Sequence, residues 1–99
     1  MSEAIRRLLV AYDITNDVRR DRVAIALQSY GERIQYSVFV VDGRPAQFVR
    51  LRQAVSKLID RDTDRVLFCD LGPAQHARRA MAYLGQSPKL TGDAPALII

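Results

Sequence analysis

The chain has 99 residues, 48% of them apolar, and a formal charge of +4. That is room for one domain around one core, and no apolar run approaches the ~20 residues that a bilayer span needs. With one cysteine, Cys69, and one histidine, His76, an internal disulfide is excluded, and zinc cages or Ser/His and Cys/His nucleophile pairs have almost nothing to work with.

The opening residues, "MSEAIRRLLV", carry neither the long apolar stretch nor the small-residue cleavage site of a signal peptide, so a cytoplasmic protein with no membrane attachment is expected. Every basic side chain except Lys57 and Lys89 is an arginine. Guanidinium is the better phosphate fork, and a mild basic excess suits a polyanionic partner without establishing one.

Residues 5–13, "IRRLLVAYD", read as a strand. Leu8 to Tyr12 are continuously apolar, which predicts a central strand covered on both faces. Thr15 or Asn16 is placed to cap a helix starting near Asp17, whose carboxylate suits a helix N-terminus. Val23, Ala26, Leu27 and Tyr30 recur at helical spacing as its buried stripe, and Gly31 is expected to close it as a C-cap. Arg20 lies off that stripe and Arg22 near its edge, so both are expected to reach solvent or a ligand. "RIQYSVFVVDGR" is β-branched and aromatic and ends on the turn signal Asp42-Gly43. Residues 31–44 read equally well as one bent strand or as two short ones meeting near Gln35 to Ser37. Pro45 opens a second helix, with Phe48, Leu51, Val55, Leu58 and Ile59 as its apolar face. "DRDTD", residues 60–64, resembles half of a calcium loop but lacks the Gly and the terminal Glu, and reads as a polar turn. The strand "RVLFCDL" follows, stopped by Gly72-Pro73, with Cys69 as a small buried hydrophobe. Residues 74–84 carry a weak helical pattern around Ala77, Met81 and Leu84, with His76 solvated. A loop, "GQSPKLTGDAP", leads to a short terminal strand, "ALII".

The order β-α-β(β)-α-β plus a terminal strand predicts an α+β fold, the ferredoxin-like βαββαβ sandwich with two helices on one face of a mainly antiparallel sheet. One domain over 1–99 is expected: the core in 1–73, a loop or short helix over 74–95, and the C-terminal strand at 96–99. Left exposed, "ALII" would be an aggregation hazard. It is expected to pair with a sheet edge, for preference that of a second copy in a homodimer.

The ordered set "YDI", "RRDRV" and "YGERIQYSVF" resembles the CRISPR-associated protein two family, the small nuclease-like partner of the CRISPR integrase. The resemblance implies a ferredoxin-like homodimer, with metal-dependent phosphodiesterase activity in some members and an architectural role in others. It places Asp13 at the family's metal-binding, catalytic aspartate, and Arg20 and Arg22 at basic positions of the first helix. Gln35, Ser37 and Phe39 match its "Q-x-S-V-F" strand. The family commonly has Glu straight after that Phe; Val40 stands there in this chain, which weighs against catalysis more than against binding.

Phosphodiester hydrolysis needs an activated water and a counter-charge, and Mg²⁺ supplies both when one or two carboxylates hold it. Asp13 alone is a poor cage, but a two-fold axis that brought two copies together would give one ion two carboxylates. The expected cofactor is therefore Mg²⁺ or Mn²⁺, between which one carboxylate does not discriminate, and the expected substrate is RNA or DNA. Arg19, Arg20, Arg22 and Arg33 are the candidate phosphate contacts, with Tyr12, Gln35, Ser37 and Phe39 in support.

Bland readings stand beside these. Asp13 also reads as an ordinary turn or helix-start aspartate, and "RRDR" as a solvated helix face laced by Asp17 and Asp21. Ser37 reads as a strand serine bonded to backbone, and Phe39 as core. Tyr12 and Tyr36 read as buried rather than base-stacking. Three functions follow: a metal-dependent endonuclease working with the integrase in spacer acquisition, a non-catalytic dimeric DNA-binding scaffold of the same assembly, and a toxin-like ribonuclease of the same fold.

Overall fold

The computed structural model describes residues 4–90 and the backbone of 97 and 98. β1 (Arg6–Asp13), α1 (Asp17–Gln28), β2 (Glu32–Gln35), β3 (Val38–Gly43), α2 (Pro45–Ser56) and β4 (Arg65–Pro73) follow in chain order. The strands form one sheet in the order β2-β3-β1-β4, and every neighbouring pair is antiparallel. This is the ferredoxin-like arrangement the element order predicts.

Alternation along β1 decides where the core sits. Leu8, Val10 and Tyr12 point toward the helices and are buried, whereas Leu9 and Ala11, on the other face, are half-buried. α1 and α2 cover that first face; on the second, Arg7 and the Leu9 partner Val40 are buried while Leu9 and Ala11 are only half-buried, so within one chain β1 is covered on both faces over its first half alone. The core joins Leu8, Val10 and Tyr12 to Val23 and Leu27 of α1, Phe39 and Val41 of β3, and Phe48, Leu51 and Val55 of α2. Each fully buried Leu, Val or Phe contributes about 1.5–3 kcal/mol. The same alternation corrects Cys69. On β4, Val66 and Phe68 pack against the core, so Leu67 and Cys69 fall on the opposite face, where both are exposed.

Asn16, not Thr15, caps α1: its Oδ1 accepts the Arg19 backbone N–H at 2.9 Å. Gly31 follows that helix for a reason different from the one expected. Its φ is not positive, so it is not a left-handed C-cap. A Cβ at this position would lie 2.1 Å from the Val40 carbonyl oxygen and 2.9 Å from Val41 Cα. The glycine lets the chain pass against β3 on its way into β2.

Residues 31–44 resolve into two strands joined by the turn Tyr36-Ser37. Neither turn residue has a positive φ, so this is not one of the primed hairpin turns. The β2–β3 register instead slips by one residue between Arg33 and Gln35, a bulge that sharpens the local twist. A second bulge lets β4 continue through Pro73, two residues beyond the expected stop. It takes up an extra residue after Asp70, and Gly72, at φ 90°, absorbs the strain.

α3 (Ala74–Ala80) is shorter than the 74–84 pattern suggests, and Met81 is extended. Its sulfur accepts a hydrogen bond from Arg7 Nη1 at 3.2 Å. β5 (Ala82–Tyr83) then pairs in parallel with β6 (Leu97–Ile98) as a separate two-stranded sheet. Within one chain the terminal strand thus meets β5, not an edge of the main sheet. Residues 91–96 and Ile99, which hold the rest of the expected loop and of "ALII", lie outside the described residues. Among the described residues, no helix is long and apolar enough to cross a membrane.

Candidate active site

β1 ends on Asp13, which stands opposite Arg65, the first residue of β4. Asp13 is exposed. Among the described residues no side-chain hydrogen bond or ion pair engages its carboxylate. Several other aspartates are engaged: Asp17 by Arg20, Asp42 by Arg7, Asp64 by Arg19 and Asp70 by Arg6.

The β2–β3 turn lies beside this strand end. Tyr12 N–H donates to the Ser37 carbonyl at 3.1 Å, and the Tyr12 hydroxyl to the Tyr36 carbonyl at 3.4 Å. Tyr12 is buried and stacks on Phe39 with ring centroids 6.3 Å apart. Both residues therefore hold the turn against β1, in keeping with their reading as core. Ser37 is half-buried in the turn, and Gln35 is exposed at the end of β2.

Tyr36 departs from expectation. It is 67% exposed, because the first residue of a two-residue turn projects past the last strand pair. Two guanidinium groups attend it: the Arg20 and Arg33 carbons lie 5.9 and 5.7 Å from its ring centroid. Arg33 also lies 5.1 Å from the Phe39 ring centroid. Arg20 Nη2 donates to Asp17 and its Nη1 to the Ile14 carbonyl at 3.3 Å, while its Nε is buried without a partner. The Asp17 hydrogen bond, opposed by desolvation and aided by Tyr36, raises the Arg20 pKa further above neutrality. The cation is permanent.

Arg22 is exposed on α1. Arg19 does not join the group. Its Nε and Nη2 hold both Asp64 oxygens at 2.7 and 3.2 Å, and Asp64 also accepts the Asp60 N–H at 2.8 Å. These contacts fix the 60–64 turn to α1, and they hold the Asp64 carboxyl below its usual range. Of the expected phosphate contacts, Arg20 and Arg33 thus gather at the turn beside Asp13, Arg22 stays apart in solvent, and Arg19 is structural. Arg65 was missed. Its signal was the register itself, since an antiparallel β4 must begin where β1 ends.

This end of the sheet offers one free carboxylate, arginines on both sides and an exposed aromatic ring. Among the described residues no group of three His, Cys, Asp or Glu side chains is placed to hold a metal ion. The family model for CRISPR associated protein Cas2 matches residues 6–79. The chain belongs to the Cas2 family.

Curated Cas2 relatives cover most of it. The CRISPR-associated endoribonuclease Cas2 1 of Rhodospirillum rubrum is 36% identical over 86 residues, 87% of this chain and 84% of that protein. The CRISPR-associated endoribonuclease Cas2 of Nitratidesulfovibrio vulgaris is 30% identical over 96 residues, 92% of each. The crystal structure of Streptococcus pyogenes Cas2 at pH 6.5 aligns with a TM-score of 0.60 at 34% identity, over 64% of this chain and 82% of that one. Asp13, Arg20, Arg33 and Arg65 all lie within the residues matched to Cas2.

Proposed function

We propose that this Cas2-family chain is a CRISPR-associated endoribonuclease that hydrolyses RNA phosphodiesters as a homodimer, with Asp13 as the catalytic residue. The observation that carries the reading is the free Asp13 carboxylate at a sheet end flanked by Arg20, Arg33 and Arg65. Names of curated relatives supply the substrate. The arginines bind and orient the phosphates on either side of the scissile bond, and their guanidinium forks match phosphate geometry.

The donor set fits Mg²⁺ or Mn²⁺ in part. An exposed carboxylate is the hard oxygen ligand such ions take, one or two at a time, with water completing the shell. One chain supplies a single such group, so Asp13 and its copy in a second chain would hold the ion together. Once bound, the ion would supply the activated water and the counter-charge.

The support for a dimer is the sheet face that α1 and α2 leave open. Leu67 is 57% exposed there, beside exposed Cys69 and half-buried Leu9, Ala11 and Val38. An apolar sheet face needs a cover, and a second copy offers a matching one. Deleting residues 96–99 tests whether the terminal strand contributes: light scattering after size exclusion should show a monomer or an aggregate. A truncated chain that stays a clean dimer would remove that strand from the interface.

The test of the reading itself is cleavage of single-stranded RNA with Mg²⁺ by the wild type and by Asp13→Ala. Loss of turnover with Asp13→Ala and with EDTA is expected; equal rates would remove Asp13 from the chemistry. The scaffold reading has its own support. Arg22, Arg50, Arg52, Arg61 and Arg65 are exposed with no ion pair among the described residues, and buried Val40 stands where a family carboxylate is common. Salt-sensitive binding of duplex DNA without turnover would favour this scaffold, joined to the CRISPR integrase.

A further inference from the structure

We infer that Tyr36 is a stacking platform for an unpaired base of single-stranded RNA bound at the Asp13 end of the sheet. The inference rests on the endoribonuclease reading for the strand's identity, but it is measured by binding, not by cleavage.

The turn spends an aromatic ring where burial gains nothing. Tyr36 is 67% exposed, whereas Tyr12 and Phe39 beside it are buried. A tyrosine is not needed to make this turn, because its backbone is in ordinary negative-φ space. What the ring does have is two cations at its margin. At 5.9 and 5.7 Å from the centroid, Arg20 and Arg33 are too far for the close approach of ~3.5–4 Å that a stacked group makes. They lean on the ring by cation–π attraction and leave most of its surface open to a flat partner.

The two arginines also supply charge: Arg33 is exposed and Arg20 half-buried, so both can meet a phosphate beside the ring. An aromatic face with a guanidinium on each side is the pattern that holds a single strand: bases stack on the ring and phosphates lie on the arginines. A duplex keeps its bases paired and stacked inward, so it cannot use the ring. Tyr36 therefore selects for unpaired RNA next to the carboxylate.

The experiment is fluorescence anisotropy at fixed salt, without divalent metal so that no turnover occurs. It uses wild type, Tyr36→Ala and Tyr36→Phe, each with a short single-stranded RNA, an RNA duplex, and a single strand of the same length with abasic sites. Tyr36→Ala should weaken single-strand binding by about 5- to 150-fold, the range for removing one base–aromatic stack. Tyr36→Phe, which keeps the ring, should stay within about twofold of wild type. Duplex and abasic affinities should be the same in all three proteins.

The abasic strand separates stacking from a supporting role. If Tyr36→Ala loses as much affinity for the abasic strand as for the intact one, the ring serves only to hold Arg20 and Arg33, and the inference is overturned. It is also overturned if Tyr36→Ala binds the intact strand as the wild type does. Failure of Asp13→Ala to affect cleavage would sink the catalytic reading and leave this result standing.

Discussion

β1 carries charge at both ends, and the two ends treat it in opposite ways. At its start, Arg6 and Arg7 are each taken by a carboxylate on a flanking strand. Arg6 Nε lies 3.0 Å from Asp70 on β4, and Arg7 makes a two-pronged pair with Asp42 on β3 at 2.7 and 2.9 Å. Arg7 is 1% exposed, and a buried guanidinium must be paired. At its end, Asp13 faces Arg65 across the same β1–β4 ladder and pairs with nothing among the described residues. The residue types are the same. One end is closed upon itself and holds the sheet; the other keeps its charges available to something from outside.

The strongest way to break this contrast is to exchange the consequences of mutation at the two ends. Asp13→Ala should lower RNA cleavage by about a thousandfold, the scale of removing a contribution to metal-assisted chemistry. Its urea midpoint should stay within about 0.5 kcal/mol of wild type, as for a surface change that breaks no interaction. Asp42→Asn should do the reverse. It leaves Arg7 buried with a weaker partner and should cost about 3 kcal/mol in urea unfolding, while cleavage by the folded fraction persists. A stability loss at Asp13 as large as that at Asp42 would erase the distinction.

The contrast sharpens in the salt dependence of binding. Arg33→Gln should reduce the slope of log affinity against log salt by about 0.7 for single-stranded RNA, the share of a single neutralised phosphate. Arg6→Gln should leave the slope where it was, because Asp70 already neutralises that cation. Equal changes would mean that the closed end also touches nucleic acid.

The smallest effect is in acid. Asp64, held by Arg19, and Asp70, held by Arg6, have folded pKa values below the usual carboxylate value. A carboxyl whose folded pKa is depressed contributes stability that is present above its unfolded pKa, about 3.9, and lost as pH falls through the folded value. Thermal unfolding followed from pH 6 to pH 2 should therefore steepen below about pH 4, and Asp64→Asn should flatten that decline. A decline of the same steepness in the variant would show that the Arg19–Asp64 pair does not set it.

Much of this is legible in the chain. Strand and helix periods, Asn16 or Thr15 as a cap, Pro45 at a helix start and the motif set around Asp13 all rest on local chemistry, which a sequence states directly. The residues whose environment differs from expectation share another cause. Cys69 and Tyr36 are apolar or aromatic residues in strand-like stretches, where burial is the default. Their exposure depends on which face of β4 the helices cover and on where the hairpin turns. Gly31 reads as the close of the helix it follows, but its constraint comes from β3, ten residues further on. Arg19 sits in the same basic cluster as Arg20, and only the return of the chain at Asp64 separates their roles.

By itself, then, the sequence determined the order and kind of the main elements outside residues 31–44 and 81–84, the family and the aspartate at the end of β1, because each is written in neighbouring residues. The tertiary structure decided which charges are paired and which are left free. Pairing joins residues dozens of positions apart, such as Arg7 with Asp42 and Arg19 with Asp64. Only the register of the sheet and the packing of α1 bring them within reach.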